Sequence, residues 1–179
     1  ARMLSLTRQS VEFSALGDAA IQLALQEMAS LPAPVGRLIQ IETVYQGVAI
    51  PVEVMPLNGL IDINAASMPL LSRLYSVAGG ISENAAEALA QATIEARQRQ
   101  DARGTLVRFE AIEDLLQVPG VNNTRYARRS GLNTADLRGA GKVNPLAAPL
   151  DVLTVLAGGN LVLASKIAAD RQACLQGID

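Results

Sequence analysis

Few residues in this chain could carry out catalysis. It has no histidine, the side chain that most often serves as a general base and as a metal ligand. Its one cysteine, Cys174, cannot form an internal disulfide, and its neighbours are apolar or neutral. The serines and threonines have no histidine to activate them as nucleophiles. We therefore expect no catalytic residues and a chain that is not an enzyme.

Oxygen ligands for a metal gather in two places. Asp62 and Asn64 form one group, and the acidic and amide residues between 110 and 123 form the other. Neither follows the alternating spacing of a calcium-binding loop, so turn-forming and surface roles explain them better. No glycine-rich phosphate-binding loop follows a predicted strand either. The sequence therefore predicts no metal site, no cofactor and no small-molecule substrate.

One motif occurs twice. The stretch "GLIDINAASMPLLSRL" is repeated imperfectly as "GKVNPLAAPLDVLTVL", each time with an asparagine upstream of an apolar helix. A helix-opening turn explains this pattern, because a polar side chain can satisfy free backbone N–H groups and small residues permit close approach. We expect the leucines of both copies in the core, and each asparagine to cap a helix or turn with about 1 kcal/mol of stabilisation. The residues that define the two copies are Gly59, Asn64, Leu71, Asn144 and Leu153.

The motif also raises the alternative of a DNA-binding helix-hairpin-helix protein. That module needs a tight glycine hairpin whose N–H groups face phosphate. The hairpin positions here read "VAGGISEN", with the acidic Glu83, and "VPGVNNTR", and neither keeps a glycine-x-glycine turn. The net charge is −2, and only Phe109 and Tyr126 could stack on a base among the local arginines. Those arginines are Arg97, Arg99, Arg103, Arg108, Arg125, Arg128 and Arg129. Acidic residues are interleaved with them, so we expect no nucleic-acid partner.

The predicted elements indicate an α+β fold. A long helix spans about 3–30, and "RLIQIETV" and "GVAIPVEVM" form a β-hairpin because both alternate and are rich in β-branched residues. "GLIDINA" adds one short strand, and helices follow, including a short one in "RFEAIEDLLQV". We expect two parts, 1–63 with the first helix and hairpin, and 64–179 as a helical subdomain with an internal duplication.

The first helix is the candidate interaction surface. Its apolar residues recur at three- and four-residue spacing but also spread around the circumference, more than one small sheet can cover. Two interpretations stay open: its own domain surrounds the helix, or the helix divides its faces between its own sheet and neighbouring subunits. For the second, the predicted partner-interface residues are Phe13, Leu16, Ala20 and Leu23.

The order of these motifs resembles the K-type minor pseudopilins of the type II secretion system (GspK-like). The resemblance begins in "VYQGVAIPVEVMPLNGLIDINAAS" and continues through "RFEAIEDLLQVPGV", which contains Leu115, Pro119 and Gly120. It ends in "GKVNPLAAPLDVLTVLAGG" and so covers nearly the whole chain. Each motif is weak by itself, and the ordered set is fairly specific.

The resemblance implies a type IV pilin-like fold, in which a long N-terminal helix packs on a small antiparallel sheet and a large helical subdomain is inserted. It also implies a structural role at the tip of a periplasmic pseudopilus, together with the I- and J-type minor pseudopilins. Such proteins are anchored in the inner membrane by an N-terminal helix. Here the opening "ARMLSLTRQS" is typical of a cut into a longer helix, and further strands are expected beyond "CLQGID".

Overall fold

The structure is a computed structural model that describes residues 2–33, 35–121, 134–139 and 141–176, with side chains described between 14 and 174. Its helices are α1 (Arg2–Ala29), α2 (Met68–Val77), α3 (Glu83–Arg97), α4 (Leu150–Leu156) and α5 (Leu161–Gln176). Its strands are β1 (Ile39–Tyr45), β2 (Val48–Val54), β3 (Ile61–Asp62) and β4 (Ala135–Asp136). Two short 3-10 helices cover Leu57–Gly59 and Ile112–Gln117. The described residues therefore form a mixed helix and sheet structure, compatible with the predicted α+β class.

The chain divides into two compact units, Ala1–Met55 and Pro56–Asp179. This boundary comes before the one expected after residue 63, and it assigns the repeated motif entirely to the second unit. Among the described residues, no helix combines the length and the apolar character needed to span a bilayer.

The first unit is helix α1 packed on the β1–β2 hairpin. The strands pair antiparallel from Ile39↔Val54 to Tyr45↔Val48, as the alternating pattern predicted. Side chains alternate between the two faces of the hairpin, and Ile41 and Thr43 are its buried members. The Thr43 hydroxyl donates to the carbonyl oxygen of Ile50 at 3.0 Å, so this polar group is satisfied within the hairpin.

The second unit is built from two helical hairpins, α2–α3 and α4–α5, with contacts between α2 and α4. Leu71 and Leu153 are almost fully buried, which confirms their predicted place in the core. Between α2 and α3 the buried Tyr75 hydroxyl lies 2.7 Å from the Thr93 hydroxyl. Because Thr93 donates its own proton to the carbonyl oxygen of Leu89, Tyr75 is the donor in this pair.

The strand predicted in "GLIDINA" exists as β3, and it pairs parallel with β4. One expectation about local structure was wrong. The helix expected in "RFEAIEDLLQV" is a 3-10 helix that begins only at Ile112. The Asp114 carboxylate accepts the N–H groups of Glu110 and Ala111 at 2.9 and 3.0 Å, and these two bonds close the turn before the helix. The same two bonds lower the pKa of Asp114, with the Ala111 N–H as the larger cause.

Candidate functional site

The two copies of the motif open with the same hydrogen-bonded turn. In the first copy the Asp62 carboxylate accepts the N–H of Asn64 at 2.9 Å, and in the second copy the Asn144 side chain accepts the N–H of Leu146 at 3.1 Å. Such a bond from a side chain to the backbone two residues on is an Asx-turn. The equivalent of Asn144 is therefore Asp62. An asparagine stands upstream of the helix in each copy, but Asn64 and Asn144 are not equivalent positions.

The two turns pack against each other reciprocally. A Cβ atom added to Gly59 would lie 2.3 Å from the carbonyl oxygen of Ala147, and one added to Gly141 would lie 2.9 Å from that of Ala65. Gly59 and Ala65 of the first copy occupy the same positions as Gly141 and Ala147 of the second copy, so each of these two contacts is the counterpart of the other. The N–H of Asn144 also donates to the carbonyl oxygen of Asn58 at 2.8 Å. The duplicated motif is thus a pair of turns related by an approximate two-fold axis, and it needs a glycine on each side.

Asn64 joins three segments of the second unit. Its side-chain oxygen accepts the N–H of Phe109 at 3.0 Å, and its amide nitrogen donates to the carbonyl oxygens of Phe109 and Leu137 at 3.0 and 3.2 Å. It was predicted to cap a helix or turn. The residue at the N-cap of α2 is Ser67, but its side chain makes no capping hydrogen bond. Asn64 instead connects distant parts of the chain and fixes where residues 109 and 137 lie.

Charged groups surround the first turn. Burial raises the pKa of the Asp62 carboxyl, and the negative charge of Asp136 raises it further, although the N–H groups of Asn64 and Ala65 and the charge of Arg108 lower it. The Arg97 guanidinium donates to the carbonyl oxygen of Ile63 at 2.9 Å. Burial lowers the pKa of Arg97, and the charge of Asp62 opposes that shift. Arg97 therefore stabilises the backbone of this turn.

Replacing Asp62 with Asn is expected to stabilise the protein at neutral pH. Because the folded pKa of Asp62 is raised, its contribution to stability is fully present below the ordinary value of 3.8 and is lost as pH rises through the folded pKa. Asparagine keeps the acceptor that the turn needs, as Asn144 does in the second copy. The difference in melting temperature between D62N and wild type should be positive at pH 7 and shrink towards zero below pH 3.8.

Asp62→Ala provides the control, because alanine removes the charge together with the acceptor. It should be less stable than D62N at every pH. A D62N variant that melts below wild type at pH 7 would show that the attraction of Asp62 to Arg97 and Arg108 outweighs the cost of its burial.

The turns that join α2 to α3 and α4 to α5, called the hairpin tips below, differ in their residues. Helix α3 begins after Ser82, whose hydroxyl accepts the N–H of Ala85 at 3.4 Å, and α5 begins after Asn160, whose side chain accepts the N–H of Leu163 at 3.0 Å. At the first position after the cap, the first hairpin has the acidic Glu83. The second has exposed apolar residues there, and Val162 is 81% exposed. The tip segments 79–86 and 157–164 contain no lysine or arginine of their own that could accompany the N–H groups at a phosphate.

The remaining predicted motif residues lie in the second 3-10 helix and directly after it. Leu115 is buried, Pro119 is exposed, and Gly120 adopts φ +92° with the Leu89 side chain only 2.8 Å from where its Cβ would be. Among the described residues, no group of three or more metal-ligating side chains lies together. Arg125, Tyr126, Arg128, Arg129 and the second half of "VPGVNNTR" lie outside the described residues.

Helix α1 exposes a different side from the one predicted. Ala20, a predicted partner-interface residue, is 1% exposed, and Leu16 and Leu23 are half-buried. The side chain of Phe13 lies outside the described residues. Two larger apolar residues, Ile21 and Leu25, are each 52% exposed. They line an apolar groove of about 350 Å³, whose other lining residues are Ala24, Met28, Val52, Glu53, Val54 and Met55.

No family model, no curated protein and no solved structure matches this chain.

Proposed function

We propose that this chain is a non-enzymatic assembly subunit, a K-type minor pseudopilin that helps to initiate the pseudopilus of a type II secretion system. In this proposal α1 and the hairpin are the pilin-like part, and residues from Pro56 onward are the inserted helical subdomain. The domain lies in the periplasm and is held at the inner membrane by an N-terminal helix. Its partners are the I- and J-type minor pseudopilins.

The exposed side of α1 is the observation that carries the proposal. Ala20 and Ala24 are buried, and these small side chains let a helix approach a sheet closely. Ile21, Leu25 and Met28 follow each other at spacings of four and three residues, so they form a second apolar stripe beside the buried one. Such a stripe is the surface that another helix packs against. Helix α1 therefore has one apolar side for its own unit and one for a partner helix.

The hairpin tips weigh against the nucleic-acid alternative. The first tip carries Glu83 where a phosphate would need a cation, and the second carries Leu161, Val162 and Leu163. Arg97 is engaged with the backbone of Ile63. The net charge of −2 also gives no general attraction for a polyanion.

Replacing Leu25 with Glu is expected to abolish co-purification with I- and J-type pseudopilins and to leave the isolated fold intact. A charge on the exposed side costs little in the free subunit, but it is desolvated without a partner at a helix–helix interface. Ala20→Glu should behave in the opposite way and lower the melting temperature strongly, because Ala20 is buried. The measurements are partner co-purification and thermal melting of the same variants.

Gln22→Glu is the matched control, since Gln22 is exposed and polar on the same helix. It should change neither association nor melting. If every substitution that weakens association also lowers the melting temperature in proportion, α1 is only a core element and the proposal is wrong. Sub-micromolar binding to duplex DNA that weakens steeply with salt would contradict it in favour of the helix-hairpin-helix alternative.

A further inference from the structure

The second hairpin tip, between α4 and α5, exposes three large aliphatic side chains in a row. The exposed fractions of Leu161, Val162 and Leu163 are 57%, 81% and 45%. They follow Gly158, Gly159 and Asn160, which are also exposed. The sequence from 152 to 165 contains no charged residue. The end of this hairpin is therefore an apolar projection on which no charge opposes contact with an apolar phase.

The first hairpin tip shows that the fold does not require these apolar residues. Ser82 and Asn160 occupy the same position, because each side chain accepts the N–H of the residue three places further on. The three residues after the cap read "ENA" at the first tip and "LVL" at the second. The "ENA" residues are exposed too, and α3 begins there as α5 does after "GGN". The same turn thus forms with polar and small residues, so the aliphatic side chains serve something other than the turn.

The shape and size of this tip fit a lipid bilayer better than a protein partner. Successive residues of a helix project about 100° apart, so the three side chains point in three directions. One flat protein surface cannot cover all three, whereas a bilayer surrounds an inserted tip on every side. The area of three partly exposed side chains is also far below the roughly 800 Å² per partner that a stable protein–protein interface buries.

The surface beside the tip restricts the occupant further. Gly158 lines a cavity together with Glu83, Glu87 and Arg73, so acidic groups outnumber basic ones near the tip. A second copy of the chain would bring these carboxylates towards each other, and anionic headgroups would gain no attraction from them. The chain after Gln176 leaves α5 at the end opposite the tip, about 24 Å along the helix.

We propose that the second hairpin tip inserts Leu161, Val162 and Leu163 into the surface of a phospholipid bilayer. The contact is apolar, weak and reversible, as it is for a single acyl chain, and it does not depend on anionic lipid. This inference goes beyond the assembly role proposed above and does not rest on it. It concerns a different unit of the chain, so the α1 variants and the tip variants test the two proposals separately.

The test measures co-sedimentation of the full chain with phosphatidylcholine vesicles at millimolar lipid. The informative variant combines Leu161→Glu, Val162→Asn and Leu163→Ala, which gives the second tip the residues of the first. It should bind the vesicles at least about tenfold more weakly, because the apolar area available for insertion is lost. Its melting temperature should stay close to that of wild type, since the first tip forms with the same residues.

Tryptophan fluorescence locates the contact, because the chain contains no tryptophan of its own. The emission of Val162→Trp should move to shorter wavelength when vesicles are added, as the indole leaves water. Val44→Trp is the matched control, since Val44 is an exposed valine, 62% exposed, in the other unit. Its emission should not change with vesicles.

Four results would overturn the proposal. The first two are a wild-type chain that does not bind the vesicles, and a combined tip variant that binds as well as wild type. The third is binding that requires phosphatidylglycerol and disappears with added salt, because basic residues elsewhere would then be responsible. The fourth is self-association without lipid that the combined variant abolishes, because the occupant of the tip would then be a second copy of this chain.

Discussion

Replacing Asn64 with alanine is expected to destabilise the second unit by about 3 kcal/mol, because a lost partner leaves backbone groups without a hydrogen bond. Three such groups are affected: the N–H of Phe109 and the carbonyl oxygens of Phe109 and Leu137. This loss exceeds the roughly 1 kcal/mol expected of a simple cap. Urea unfolding of the variant against wild type measures it.

Asn160→Ala is the matched control, since Asn160 caps α5 through a single bond to the N–H of Leu163. It should cost about 1 kcal/mol. Asn64→Asp tests the direction of the bonds: a carboxylate still accepts from Phe109 but faces two carbonyl oxygens that it cannot donate to. N64D should therefore be as unstable as N64A at neutral pH and recover partly on acidification, when the carboxyl can donate. Equal losses for Asn64→Ala and Asn160→Ala would show that Asn64 is only a local cap.

The role of Asn64 illustrates what the sequence could not predict. Its partners lie 45 and 73 residues away, and no local pattern records them. The pairing of β3 with β4 could not be predicted either, because strands of two residues show no periodic pattern in the sequence. The positions of Leu71 and Leu153 were predictable, since helical periodicity and the repeat both indicated their burial.

The packing of helix α1 could be predicted only in part from the sequence. Its sequence correctly indicated apolar residues around much of the circumference, but not which side faces the hairpin. A usable signal was side-chain size: Ala20 and Ala24, four residues apart, are buried, and the larger Ile21 and Leu25 are exposed. Small residues permit the closest backbone approach, so an alanine pair at this spacing favours the side packed on a sheet.

The reciprocal packing of the two copies depends on glycine at both turns. Replacing Gly59 with alanine is expected to cost about 3 kcal/mol, because the new Cβ would overlap the backbone of Ala147, which cannot rotate away as a side chain could. Gly141→Ala should cost at least as much, since it combines a contact at 2.9 Å to Ala65 with a φ of +72°.

Gly158 separates the cost of steric overlap from the cost of a positive φ. It has φ +65°, but no other atom lies within 4 Å of where its Cβ would be, so Gly158→Ala should cost only about 1–2 kcal/mol for the left-handed backbone. If both crowded glycines act on one interface, the double variant G59A/G141A should lose less stability than the two single losses added together, because the first substitution already separates the turns. Urea unfolding of the four variants measures this coupling. Strict additivity, or a loss at Gly59 no larger than at Gly158, would mean that the two copies do not support each other through these turns.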